Sequence, residues 1–179
     1  MRLKIRASAL ALALVLALVS TGLVAAQGTV VSVEPPQQEV FVGDQATVEV
    51  WATAVTDFYG AQFSLTFDDT IVSGASVEPG SAFTAYPDEY EVAVAEVVSD
   101  TVNFAATLLR VPKTGPLTGD VQIAVITFDA VAAGVSPLTF GEVKLSDSSG
   151  SPIPFTVMGG EITVIETPTV LTGYAFMEA

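Results

Sequence analysis

Chemistry in this sequence has to come from carboxylates, amides and hydroxyls. The chain holds no histidine and no cysteine, which removes Ser-His-Asp and Cys-His nucleophile arrangements, the common zinc ligand sets and thiol redox chemistry. Twenty Asp and Glu residues remain. Asp68-Asp69 and Asp88-Glu89-Glu91 offer, on paper, the two carboxylates that glycoside hydrolysis places about 5–10 Å apart. Neighbouring acids on turn-like segments are ordinarily solvated surface, however. Asp147-Ser148-Ser149-Gly150 and Asp68-Asp69-Thr70 offer oxygens to calcium, yet neither has the EF-hand spacing with its closing bidentate Glu. Plain turns are expected at both, and the sequence predicts no catalytic residue, no bound metal and no cofactor.

Binding is the better-supported chemistry. In Tyr59-Gly60-Ala61-Gln62-Phe63-Ser64-Leu65-Thr66-Phe67, strict alternation sends Phe63, Leu65 and Phe67 to one face and Gln62, Ser64 and Thr66 to the other. A second segment, Val102–Leu109, repeats the pattern, with Asn103, Ala105, Thr107 and Leu109 outward. Side by side, two such strands make a shallow polar platform with an apolar rim, able to bury the standard ~800 Å² against a protein partner. Trp51 shares parity with Thr47 and Glu49 and so belongs on an outer face. There it could stack on a sugar ring together with Tyr59, or be covered by a neighbouring loop.

The elements that position these residues are strands. Segments rich in Val, Ile, Phe and Thr alternate with Gly, Pro, Asp and Ser clusters, and no stretch of useful length has helical period. Strands are predicted at Thr29–Val33, Glu39–Val42, Gln45–Thr53, Gly60–Phe67, Ile71–Val77, Tyr90–Val98, Val102–Leu109, Val121–Ala130, a short pair around Leu138–Leu145, and Glu161–Ile165. That number of strands in one chain of this size implies an all-β fold: an antiparallel β-sandwich of about nine strands with jelly-roll topology. Inner faces are expected from Val48 and Val50; from Phe63, Leu65 and Phe67; from Val102, Phe104 and Ala106; and from Ile123, Val125 and Thr127 or their alternates beside Phe128. Turns are expected at Val42-Gly43-Asp44, Glu78-Pro79-Gly80, Gly115–Gly119 and Asp147–Gly150.

The two ends read differently from the middle. Arg2, Lys4 and Arg6 precede an apolar run from Ala7 to Val19 and small residues at Val24-Ala25-Ala26, the layout of a secretory signal over residues 1–26; retention as a membrane anchor is the alternative. Residues 27–165 make one domain, and residues 166–179 read as a linker or the truncated start of a further module. Loss of the leader leaves only Arg110, Lys113 and Lys144 against the twenty acids. So acidic a chain repels nucleic acid and anionic lipid, which excludes those partners, and a secreted or cell-surface location follows from the leader.

Val40-Phe41-Val42-Gly43-Asp44, Val48-Glu49-Val50, Tyr59–Asp68, Val77-Glu78-Pro79-Gly80, Phe104–Leu109, Ala124–Phe128 and Val143–Asp147, in that order and spacing, resemble a cohesin domain over roughly residues 29–165. The resemblance implies a jelly roll that binds dockerins, helical modules that carry their own calcium, and so tethers enzymes of polysaccharide breakdown. It places the contact face on the strands at Gly60–Phe67, Tyr90–Val98 and Val102–Leu109. Ala105, Thr107 and Leu108 match the family's contact strand. Gly60 and Gln62 stand where cohesins often hold Asn and Asp, a departure that alters partner choice. A carbohydrate-binding module using Trp51 and Tyr59 is the alternative, and an enzyme is the least favoured class.

Overall fold

The segment Gln45–Thr66 forms the spine of the molecule because its alternation never stops for long. A computed structural model describes residues 28–110, 112 and 115–168; the leader at 1–26 and the tail from 169 onward lie outside the described residues. The strands are β1 (Thr29–Glu34), β2 (Gln37–Phe41), β3 (Gln45–Thr66), β4 (Val72–Pro79), β5 (Tyr90–Val98), β6 (Thr101–Leu108), β7 (Leu117–Ala130), β8 (Gly134–Asp147), β9 (Phe155–Met158) and β10 (Gly160–Ile165), with one short helix, α1 (Ser81–Thr84).

Two predicted strands are fused in β3. Ala54 and Asp57 adopt left-handed backbone, φ 53° and 56°, and the register against β7 shifts at this point. The strand bends here without ending, as strands do at irregularities of this kind. Its first half lies between β1 and β7, and its second half between β6 and β8. One layer is therefore β9-β1-β3-β7-β4 and the other is β5-β6-β3-β8, with β8 running on to β10 and β2. This is the all-β jelly-roll sandwich. Two of its pairings, β1 with β9 and β10 with β2, are parallel.

Several local expectations are corrected. The short pair near Leu138–Leu145 is one long strand, β8, bulged where Phe63 and Leu65 of β3 pair with Val143 and Phe140. In β7, Ile123 and Ala124 are both buried, because Val50 pairs with Ala124 while Trp51 pairs with Gln122 and Ile123 is the extra residue. One extra residue reverses parity, so Ile126, Phe128 and Ala130 face inward, and Val125 and Thr127 do not. Strand β9 and helix α1 were not expected: a four-residue strand and a four-residue helix are too short to show a period.

Aromatic rings fill the interior between the layers. Phe63 stacks on Phe104 at 5.4 Å, Phe83 of α1 meets Phe58 and Phe104 at 5.8 and 6.2 Å, and Phe67 meets Phe128 of the opposite layer edge-on at 5.1 Å. Helix α1 gets this close because Gly80, which caps it, has no side chain. A Cβ there would overlap the carbonyl of Gln122 and come within 2.9 Å of the Ile123 carbonyl carbon. Gly80→Ala must push β7 and α1 apart, and a loss of about 1–3 kcal/mol in urea unfolding is expected, the usual cost of overpacking.

The predicted turns at Val42–Asp44 and Asp147–Gly150 are present and explain their acids, whereas Glu78-Pro79 ends β4 directly before α1 and Leu117–Gly119, expected in a turn, opens β7. At Phe41–Asp44 the Asp44 N–H donates to Phe41 O at 3.0 Å across Gly43, whose φ of 93° suits glycine. Asp147 accepts from Ser149 Oγ, Ser149 N–H and Ser151 N–H at 2.7–2.9 Å. Asp68 accepts from Thr70 Oγ1 and N–H at 2.6 and 2.9 Å. The Ser149 hydroxyl first, then the Ser151 amide, holds Asp147 below the usual carboxylate range, and the Thr70 hydroxyl and amide do the same for Asp68. A depressed folded-state pKa stabilises above the unfolded value, and that stabilisation is lost as pH falls through the folded one. Asp147→Asn should therefore lower the urea midpoint at neutral pH. The gap to wild type should close in acid, below the ordinary carboxylate range.

Candidate functional site

The outward side of the β5-β6-β3-β8 layer is assembled by register into rows that cross all four strands. Glu91 pairs with Thr107, which pairs with Gly60, which pairs with Ser146. The next row is Val94, Ala105, Gln62 and Lys144. Beyond it come Glu96, Asn103 and Ser64, with the Gly141-Glu142 bulge of β8 alongside, and then Val98, Thr101, Thr66 and Thr139. Because every member of a row shares parity, side chains in it project to the same side. Gln62, Thr66, Thr107, Glu91, Val94 and Glu96 are exposed, and Ser64, Asn103 and Ala105 are half-buried among them. No other segment of the described residues closes over the platform.

Gly60 forms its floor. The backbone is buried, and a Cβ would lie 3.0 Å from Ser146 Oγ and 3.1 Å from Thr107 Oγ1. A shallow depression of about 270 Å³ opens over it, bordered by Gln62, Ala93, Ala105, Thr107, Lys144 and Ser146. A second depression of about 490 Å³ shares Gln62, Ala93 and Ala105 with the first and extends to Val94, Glu96 and Asn103. The two form one trough along β6, apolar at the base and polar at the rim.

Polar side chains brace this face from within the layer. Ser64 Oγ accepts the Glu142 N–H at 3.0 Å, fixing the β8 bulge, and Thr66 Oγ1 donates to Thr139 O at 3.2 Å. Gln62 Nε2 reaches Glu142 Oε2 at 3.4 Å, while the other carboxylate oxygen of Glu142 takes Lys144 Nζ at 2.6 Å. Ser64 and Thr66 therefore serve to hold β8 in place, while the side chains of Gln62 and Thr107 are exposed, the Thr107 hydroxyl donating to Leu108 O at 3.2 Å.

One expected contact residue is misplaced. Leu108 is 1% exposed; its even parity with Val102, Phe104 and Ala106 sends the side chain into the core, so it cannot touch a partner. The exposed leucine is Leu109, as alternation alone requires. Sequence reasoning also missed Glu91, Val94 and Glu96 of β5 and Glu142, Lys144 and Ser146 of β8. Bulges at Ala93 and at Gly141-Glu142 interrupt alternation in both strands, and only the cross-strand register brings them to this face.

The other candidates do not converge. Trp51 is half-buried, with Nε1 donating to Glu49 Oε2 at 2.7 Å, and pairs with Ser32 and Gln122 in the opposite layer. Tyr59 lies beyond the left-handed Ala54 and Asp57 and packs against the core. The structure does not bring the two rings together. Of the acids, Glu89 is tied to Arg110 at 2.9 Å, Asp68 and Asp147 accept from their own turns, and Glu91 stands on the sheet face. Among the described residues no group of three or more acids is placed to hold a metal ion.

A family profile described as the cohesin domain matches residues 31–164. The chain matches no curated protein sequence. Solved structures similar to it include a non-cellulosomal cohesin from the hyperthermophilic archaeon Archaeoglobus fulgidus, at 14% identity and TM-score 0.62, covering 77% of this chain and 91% of that one. A chain of a type I cohesin–dockerin complex from Clostridium thermocellum is 18% identical with TM-score 0.63 over 78% and 94%. A type II cohesin domain from the cellulosome of Acetivibrio cellulolyticus is 15% identical with TM-score 0.64 over 75% and 95%.

Proposed function

The chain belongs to the cohesin family, and on that footing we propose that it is a non-catalytic capture module that binds a dockerin-type helical protein through the β5-β6-β3-β8 face. The observation that carries this is the open trough along β6, flanked by exposed Gln62 and Thr107 and left uncovered by the described loops. A flat face with a shallow trough suits a protein surface better than a small molecule, which prefers an enclosed pocket. Calcium in such a complex is the partner's, and this chain supplies no ligand to it. A secreted or cell-surface location, and a link to polysaccharide breakdown, belong to the same proposal.

Calorimetric titration with a panel of calcium-loaded type I and type II dockerins tests it. Binding by at least one dockerin, lost on calcium chelation, is expected; silence across the panel would end the proposal. Trp51 gives an independent measurement. Its indole lies in the opposite layer, so Trp fluorescence should stay unchanged when soluble polysaccharides are titrated in. A saturable quench would favour the carbohydrate-binding alternative.

A further inference from the structure

The contact face carries its own specification of the partner, and the inference rests on the dockerin reading above. Three carboxylates stand exposed on this face: Glu96 and Glu142 line the trough, and Glu91 lies beside it as the β5 partner of Thr107. Lys144 is the cation on these rows, and it is already paired with Glu142 at 2.6 Å. The base of the trough is made of Gly60, Ala93 and Ala105, which leave space where larger residues would fill it. The Cβ position at Gly60 is bordered by the Ser146 and Thr107 hydroxyls at 3.0 and 3.1 Å, the hydrogen-bonding side chains beside the floor of the hollow.

We infer that the partner anchors by a single bulky aliphatic or aromatic side chain seated over Gly60 and Ala105, flanked by lysine or arginine that meets Glu91 and Glu96. An apolar anchor in a small desolvated hollow is the arrangement that concentrates binding energy, with charge around it setting orientation and partner choice. An aspartate on the partner would meet a ring of acids, and a serine or threonine would leave the alanine base of the hollow unfilled. The first is disfavoured by like charge and the second by the apolar contact it forgoes.

A displayed library of calcium-loaded dockerins, randomised at the exposed helix positions, is selected against the wild-type chain. The selected clones are then titrated against Ala105→Leu, which fills the hollow from an already outward position, and against the double variant Glu91→Lys/Glu96→Lys. Enrichment of Leu, Ile, Met or Phe beside Lys or Arg is expected. With it should come a loss of about thirtyfold for Ala105→Leu and a loss of about tenfold for the charge reversal, larger at low salt than at high. Binders rich in Ser, Thr or Asp that tolerate both variants would overturn this inference and leave the dockerin reading standing. Failure to select any dockerin would remove both.

Discussion

Phe104→Ala is expected to cost about 3–5 kcal/mol of folding stability, the range for truncating a buried aromatic. Phe104 is 1% exposed, stacks on Phe63 at 5.4 Å and meets Phe83 at 6.2 Å. Its removal therefore leaves a hollow at the point where β3, β6 and α1 share one cluster. The surrounding rings cannot close that gap without moving a strand, because Phe63 is also fixed edge-on by Phe140 at 5.9 Å. The chain has no disulfide to fall back on, since it has no cysteine, so packing alone bears the loss. Urea unfolding followed by far-ultraviolet circular dichroism measures it. A shift of under about 1 kcal/mol would mean that the cluster repacks freely, in conflict with a close-packed interior.

Thr107→Arg and Gln62→Arg should each reduce affinity for a bound dockerin by about a hundredfold or more, the scale of a central hot spot. Thr107 and Gln62 stand on either side of the Gly60 hollow, and an arginine at either place would fill the trough and bring positive charge to a face that presents acids. Both residues are exposed, so stability should change by no more than about 0.5 kcal/mol and the loss is one of recognition. Thr47→Arg is the control: Thr47 is exposed on the first half of β3 and pairs with Thr127 in the other layer. It should bind as wild type does. Equal binding by all three variants would move the contact surface off this face.

Most of the fold was legible in the residues, and the exceptions share a cause. Gln62, Ser64 and Thr66 face outward and Phe63, Leu65 and Phe67 inward, because alternation over an uninterrupted stretch leaves the backbone one choice of face. β7 defeated the same logic through a single extra residue at Ile123. β3 and β8 looked like broken segments because left-handed Ala54 and Asp57, and the Gly141-Glu142 bulge, interrupt the pattern without ending the strand. The site was half legible. β3 and β6 announced their contributions by parity, while Glu91, Val94, Glu142 and Lys144 enter through long-range register that no local pattern encodes. Leu108 shows the limit of carrying residues over by resemblance: neighbouring positions on a strand face opposite ways, and parity placed Leu109 outside where the family match pointed one residue away.

The most direct measurement of where capture occurs is methyl NMR of the alanine- and valine-labelled chain, titrated with a calcium-loaded dockerin that binds it. Large shifts are expected at Ala93, Val94 and Ala105, which line the trough, and none at the exposed Val131, Val135 and Val157 elsewhere on the surface. Shifts at Val131, Val135 or Val157 with Ala93, Val94 and Ala105 unmoved would contradict capture on this face.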